Sequence, residues 1–360
     1  MPDAISTLKD YKARIDQAMS DFFDVKIKEA EKIDASSAEV MRNLKEFNLR
    51  RGKRIRPALM IHGYKCFKEA DQKNERDIIF ASLAIELMEG FLLIHDDVLD
   101  QDELRRGGPT LHKTYETKYN ALKTITPKRF GEGVAIVAGD IQNSLANEII
   151  LSSDFPAEII KEFARKYHEV ALKTEYGWLC ESMLASKQIE KITESDVMKV
   201  NTYKTAAYTV EGPLHMGAIL AGADKSQLNA LSGFAIPVGI AFQIQDDILG
   251  MFGNEKKLGK PIGSDIKEGK VTLLIVKALE KADAKQNKTL LDALGKNDLS
   301  MKDIENVRKI ITDSGSLDYS KKLAEKRIMQ AKQSLENSDF RRQGKDFMIG
   351  IADFLIKREY

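Results

Sequence analysis

An all-α fold, a large helical bundle, is what this sequence predicts, and three observations predict it. Apolar residues recur at three- and four-residue intervals, as in Phe80, Leu83, Ala84, Leu87, Phe91 and Ile94, whereas sustained period-two alternation is scarce. Helix-start chemistry is present: Thr193 and Asp196 in TESD precede Val197, Val200 and Lys204 at helical spacing, as a capping arrangement would. Only 8 prolines interrupt 360 residues.

Breaks fall where glycine, proline and charge cluster: RRGKRIRP at 50–57, RRGGP at 105–109, TPKRFGEG at 126–133 and GNEKKLGKPIGSDIKEGK at 253–270. None is a long flexible linker, and no fixed-period repeat or low-complexity tract appears. Residues 1–360 therefore read as one domain of packed helices.

Hydrophobic residues at 43% and charged residues at 31% describe a globular chain able to bury a core, not a disordered one. A net charge of +1 supplies no global field for nucleic acid or anionic membrane. Cys66 and Cys180 are too few and too far apart for a disulfide framework or a zinc site. The N-terminus lacks the apolar run of a secretion signal. Stretches such as GFAIPVGIAFQI fall short of the roughly 20 apolar residues of a membrane span. A cytoplasmic protein without stable membrane insertion is expected.

Two acidic clusters each end an apolar helical segment: FLLIHDDVLD with Asp96, Asp97 and Asp100, and GIAFQIQDDILG with Asp246 and Asp247. One such cluster is commonly a solvated helix end. Two, on faces of the type that packs inward, call for counter-charge. Several carboxylates around one space suit a hard cation, and Mg²⁺ typically binds one or two carboxylates together with substrate phosphates. On a helix Asp96 and Asp100 share a face, while Asp97 is turned by about 100° and acts through a water or a neighbour. The alternating ligands and central glycine of a Ca²⁺ loop are absent.

Cations accompany the clusters. Arg105 and Arg106 follow the first, Lys260 and Lys270 follow the second, and Lys53 and Arg56 lie in RGKRIRP. Lys204 falls on the stripe of Val197, Val200 and Tyr208. Any one of these, taken alone, reads as a surface charge. No GxxxxGK[ST] or GxGxxG turn, nucleophile elbow or HExxH helix is present, so a nucleotide, a serine nucleophile and a zinc protease are all excluded as themes.

The ordered set RGKRIRP, IHDDVLDQDELRRGGPTLH, VAGD, YKTAAY, FQIQDDILGMFG and GKPIGSDIKEGK resembles the trans-isoprenyl diphosphate synthases of the polyprenyl synthetase family, most closely the archaeal geranylgeranyl type. The resemblance implies an all-helical, Mg²⁺-dependent prenyltransferase with a deep central cavity, normally a homodimer. Isopentenyl diphosphate would be added to dimethylallyl, geranyl or farnesyl diphosphate. By the same resemblance, Asp96, Asp100 and Asp246 would bind Mg²⁺, with Asp97 and Asp247 supporting. Arg105, Lys204 and Lys260 would hold the allylic diphosphate, with Lys270 also at the substrate. Lys53, Arg56 and Arg106 would hold isopentenyl diphosphate, and Thr205 and Gln243 would lie beside the forming cation. Phe91, with Leu92, would block the growing tail near C20.

Several positions depart from the family pattern. Arg51 replaces a glycine. Glu89 stands where histidine or glutamine usually helps hold isopentenyl diphosphate, and an ionised carboxylate there repels that ligand unless a basic residue pairs with it. Gly177, Trp178, Leu179, Cys180 and Glu181 replace GQxxD, leaving Glu181 as a candidate for a metal's water shell. Gly250 replaces an aspartate, and the 123–133 segment looks like an insertion. Farnesyl or longer-chain synthesis, a terpene cyclase and a non-catalytic partner subunit are the competing readings.

Overall fold

The computed structural model describes residues 3–184, 186–253, 262–296 and 298–357. Among them the only sheet is one two-stranded ladder, and helices make up the rest of the regular structure. The chain divides into two compact units. One contains residues up to 167 with 213–223 and 341–347; the other contains 168–212, 224–340 and the residues from 348 on.

The first unit is built from α1 (Ala4–Glu31), α2 (Ala35–Leu49), α3 (Ile55–Lys65), α4 (Gln72–Leu99), α5 (Leu111–Lys118) and α6 (Pro127–Ser152). Asp3, Asp34 and Asp71 each accept a hydrogen bond from a first-turn backbone N–H, at 2.8, 2.7 and 2.8 Å, and so satisfy donors that the helix leaves unpaired. The apolar stripe read from the sequence underestimates α4. Leu83, Ala84, Leu87, Phe91 and Ile94 are buried, but so are Ser82, Glu86 and Glu89 from the rest of the circumference, while Phe80 is only half-buried. This is a central helix, enclosed on nearly all sides.

Glycine permits the closest approaches around it. A Cβ on Gly90 would lie 1.5 Å from Gln142 Nε2, and that buried amide instead donates to Leu87 O and Asn48 Oδ1, both at 3.1 Å, tying α2, α4 and α6 together. Residues 213–220 of α9 (Gly212–Leu220) cross α3 so tightly that a Cβ on Gly217 would meet Met60 O at 1.8 Å.

The 123–133 segment, which looks like an insertion in the sequence, holds a bend at 123–125 and the first turns of α6. Thr126 caps α6, Pro127 occupies its first turn, and Gly131 lies against the backbone of α5 near His112 O.

The second unit takes up the later part of α7 (Ala157–Leu184), α8 (Glu194–Val200), a π-helix (Asn201–Glu211), α10 (Lys225–Phe252) and shorter helices including Ser264–Lys267 and Leu273–Leu279. The expected cap is present, with Thr193 and Asp196 forming a reciprocal capping box. The continuation differs from expectation: after Val200 the backbone widens to a π-helix, which breaks the 3.6-residue stripe on which Lys204 and Tyr208 were placed. Thr205 and Thr209 become the buried polar positions, with Lys204 and Tyr208 half-buried. Gly239 brings α10 against this segment, where a Cβ would sit 2.5 Å from Ala206.

Contrary to the sequence expectation, α4 and α10 are both long and apolar enough to cross a membrane. The sequence reading looked for unbroken apolar runs, whereas these windows reach the hydropathy of a span despite isolated charges. In α4, 83% of the window is buried in the fold, as expected of a core helix; in α10 the share is 44%. Cys66 and Cys180 are free thiols, as expected. Burial pushes the Cys66 thiol up to about 12.

Candidate active site

The last turn of α4 carries the first cluster. Asp96 and Asp100 are half-buried one turn apart, with the Asp100 N–H donating to Asp96 O at 2.8 Å, whereas Asp97 points into the protein. There it meets Arg105, whose Nε donates to Asp97 Oδ1 at 2.6 Å and whose Nη2 donates to Asp102 Oδ2 at 2.8 Å. Burial pushes the Asp97 carboxyl up to about 6 against the pull of Arg105. Asp97 Oδ2 carries no hydrogen bond.

Local chain geometry places Arg105. Strands β1 (Leu104–Arg105) and β2 (Gly108–Pro109) pair antiparallel, Arg105 opposite Gly108, through the turn residues Arg106 and Gly107 at φ 54° and 83°. Two consecutive left-handed residues are what a tight two-residue hairpin of this hand requires. Successive side chains then diverge: Arg105 goes to Asp97, and Arg106 goes to Glu89. Arg105, read from the resemblance as a diphosphate ligand, is therefore buried in an ion pair that supports the aspartate cluster. A buried carboxylate demands a counter-charge, and this one takes the nearest guanidinium.

A second charged group lies within the same unit. Glu89 Oε1 is bound by Arg56 Nη1 at 2.8 Å and by Arg106 Nη2 at 2.6 Å, so the repulsion feared at this position is answered by pairing. Arg54 is fully buried; it contacts Glu86 and donates to Asp16 Oδ1 at 2.6 Å and to Asn48 O at 2.5 Å. Arg54 and Glu86 escaped the sequence reading, although the alternation of cations in RGKRIR was the available signal. Lys53 is half-buried beside them. Phe91 and Leu92 are buried further back on α4, the Phe91 ring edge-on to His95 at 5.9 Å.

In the second unit, Asp246 is exposed and Asp247 buried on α10. Thr205 Oγ1 donates to Gln243 Oε1 at 2.6 Å, and Gln243 Nε2 donates to Asp247 Oδ1 at 2.7 Å. The resemblance put Thr205 and Gln243 each beside the forming cation; here the two are joined to each other and to Asp247 in one hydrogen-bonded chain. Burial, with the nearby charge of Asp265 and then of Asp246 and Glu181, raises Asp247 well above the usual carboxylate range despite the Gln243 bond.

Asp265 is another residue that sequence reasoning missed. The short helix Ser264–Lys267 returns so close to α10 that the Gly263 N–H donates to Gly250 O at 3.1 Å, and a Cβ on Gly250 would lie 3.1 Å from Asp265 Oδ2. The aspartate absent at 250 thus has a carboxylate from 265 in its neighbourhood. Gly177 has a comparable role: a Cβ there would meet Lys204 N at 2.3 Å, and this close passage lets Lys204 pair with Glu181 one turn on. Trp178 is half-buried on the same helix. Lys270 pairs with Glu268 at 2.5 Å, and its N–H donates to Asp265 O at 2.8 Å. Lys260 lies outside the described residues.

No three histidine, cysteine, aspartate or glutamate side chains among the described residues converge as a ready-made metal centre. The donor chemistry still fits Mg²⁺. The cluster side chains at each helix end are carboxylates, with an orphaned oxygen on Asp97 and with burial and then the charge of Asp265 raising Asp247, and Mg²⁺ takes one or two carboxylates while leaving sites for water and phosphate.

Residues 38–311 match the polyprenyl synthetase family. A geranylgeranyl diphosphate synthase of Methanosarcina mazei is 35% identical over 315 residues, 86% of each chain, and a short chain isoprenyl diphosphate synthase of Methanothermobacter thermautotrophicus is 34% identical over 86% of this chain and 87% of its own. The solved geranylgeranyl pyrophosphate synthase of Corynebacterium glutamicum, complexed with isoprenyl diphosphate and magnesium, superposes with a TM-score of 0.90 at 28% identity, covering 98% of this chain and 99% of that one. With its all-helical fold and its aspartate-bearing helix ends, the chain belongs to the polyprenyl synthetase family.

Proposed function

We propose that the protein condenses isopentenyl diphosphate with allylic diphosphates and releases mainly the C20 product, geranylgeranyl diphosphate. The observation that carries this reading is that each unit has an aspartate helix end held by its own polar partners, Arg105 for Asp97 and Gln243 with Thr205 for Asp247. Asp96, Asp100 and Asp246 are the proposed Mg²⁺ ligands. Bound Mg²⁺ supplies the positive charge that stabilises a departing diphosphate.

The chain's own residues do the rest. Lys204 and Lys270 hold oxygens of the allylic diphosphate, and Lys53, Arg56 and Arg106 hold isopentenyl diphosphate. As the allylic C–O bond breaks, its electrons leave with the diphosphate. Thr205 and Gln243 turn oxygen dipoles toward the allylic cation. The isopentenyl double bond forms the new C–C bond, and loss of a proton to the released diphosphate restores an alkene. The test is incubation with isopentenyl diphosphate, each allylic primer and Mg²⁺, followed by sizing of the products. No elongation with any primer would favour a non-catalytic partner subunit.

Product length is proposed to depend on Phe91, whose buried ring lies more than a turn back from Asp96. Phe91→Ala is expected to shift the products to longer chains, and an unchanged distribution would remove Phe91 as the ruler.

A homodimer is part of the same proposal, supported by α7. Leu172, Tyr176, Leu179 and Met183 are 47, 54, 60 and 62% exposed, at the four- and three-residue spacing of a helix-pairing seam. Sedimentation should give a dimer, and Leu179→Asp should shift it towards monomer. A parent that sediments as a monomer would refute this assembly.

A further inference from the structure

The Glu89 carboxylate sits among the arginines that the proposed function assigns to isopentenyl diphosphate. Arg56 and Arg106 bind the same oxygen of it, at 2.8 and 2.6 Å, and both arginine side chains keep partial exposure, 13% and 17%. Two guanidiniums converging on one oxyanion are arranged as they would be for a phosphate oxygen. Glu86 lies one turn earlier on α4, buried with Glu89. Gly52 admits Arg54 and Arg106 to the same neighbourhood, since a Cβ there would meet Arg54 Nη1 at 3.1 Å and Arg106 Nη1 at 3.5 Å.

We propose that Glu89 is an internal stand-in for the substrate diphosphate: it occupies Arg56 and Arg106 in the substrate-free protein and yields them to diphosphate oxygens as the Glu86–Glu89 pair takes up a proton from solvent. This rests on the reading of Arg56 and Arg106 as diphosphate ligands.

The surrounding charges support the exchange. Facing the pair are Arg54 and Arg56 from the α3 end, Arg106 from the hairpin and, through Arg54, Asp16 from α1; the amides of Asn48 and Gln142 beside Gly90 are neutral. Burial works against the Glu89 charge, but Arg56, Arg106 and Arg54 overcome it and hold that carboxyl low. Burial and the charge of Glu89 push Glu86 up, against the pull of Arg54. A diphosphate that draws off Arg56 and Arg106 removes what keeps Glu89 ionised and adds negative charge beside it. Both effects raise the affinity of the carboxyl pair for a proton. Diphosphate affinity must then fall as pH rises, because binding requires a proton that becomes scarcer.

Calorimetric titration of inorganic diphosphate into the full-length protein and into Glu89→Gln, in two buffers of different ionisation enthalpy at about pH 7 and about pH 8.5, tests this. The ligand's own protonation is common to both proteins. The parent is expected to take up more protons per diphosphate bound than Glu89→Gln, and the variant to bind about tenfold tighter at the higher pH, equivalent to about 1.4 kcal/mol. Equal proton uptake with equal affinity overturns the proposal, and so does failure of diphosphate to bind either protein. Should Glu89→Gln not fold, Glu86→Gln serves: its proton uptake is expected to fall below the parent's, and unchanged uptake overturns the pair's role. Elongation by the parent is scored separately. A parent that elongates without any Glu89-dependent proton uptake loses only the stand-in, whereas coupled uptake without elongation overturns the proposed function alone.

Discussion

Asp96→Asn and Asp246→Asn proteins are expected to fold like the parent and to lose about 10³-fold in kcat for chain elongation, on the scale of removing one electrostatic stabiliser of a developing charge. Folding should be spared because Asp96 is half-buried and Asp246 exposed, and exposed isosteric changes usually alter stability by about 0.5 kcal/mol or less. Asp97→Asn is a different experiment, since it leaves the buried Arg105 without its nearest charge. Steady-state elongation at saturating Mg²⁺, alongside thermal unfolding, distinguishes the two cases. Rates within tenfold of the parent for both Asp96→Asn and Asp246→Asn would remove these aspartates from the chemistry.

Arg54→Leu is expected to have the largest effect on stability, a loss of about 3–5 kcal/mol at neutral pH, because deleting one partner of a buried pair strands the other's charge. Arg54 is enclosed by Glu86, Asp16 and the Asn48 carbonyl, with its side chain fully buried. The pH dependence has a definite sign. Burial and Glu89 raise the folded-state pKa of Glu86 above its unfolded value, and without Arg54 it rises further. A carboxyl raised on folding contributes stability below its unfolded pKa and loses it as pH climbs through the folded value. The deficit should therefore shrink on acidification towards about pH 5, near the ordinary glutamate pKa. Urea unfolding of parent and variant across that range measures it, and a deficit that grows on acidification would contradict the assignment of charge to Glu86.

Much of the candidate site was legible because its signals are local. DDVLD and QDDILG at the ends of apolar helical runs and the TESD cap depend on neighbours within a turn or two. The helical spacing of Asp96 and Asp100, with Asp97 turned away, followed from the 3.6-residue period and is present in the fold. The π-helix at Asn201–Glu211 was not legible, because nothing in YKTAAY distinguishes i→i+5 from i→i+4 bonding until α10 packs against it through Gly239. Nor was the burial of α4 on nearly all sides, since Glu86 and Glu89 are buried against arginines that other elements supply.

Composition and periodicity alone established a helical chain with two acidic helix ends, and the order of its motifs established the family. Tertiary structure decided which partners those charges take: Arg105 for Asp97, Arg56 and Arg106 for Glu89, Thr205 for a Gln243 lying 38 positions away, and Asp265 beside Gly250. The physical reason is range. Helical period and capping act between residues a few positions apart, whereas a buried charge is satisfied by whichever group the packing brings within about 3 Å, and that is set by close approaches at positions such as Gly90, Gly177 and Gly217, which only the assembled helices reveal.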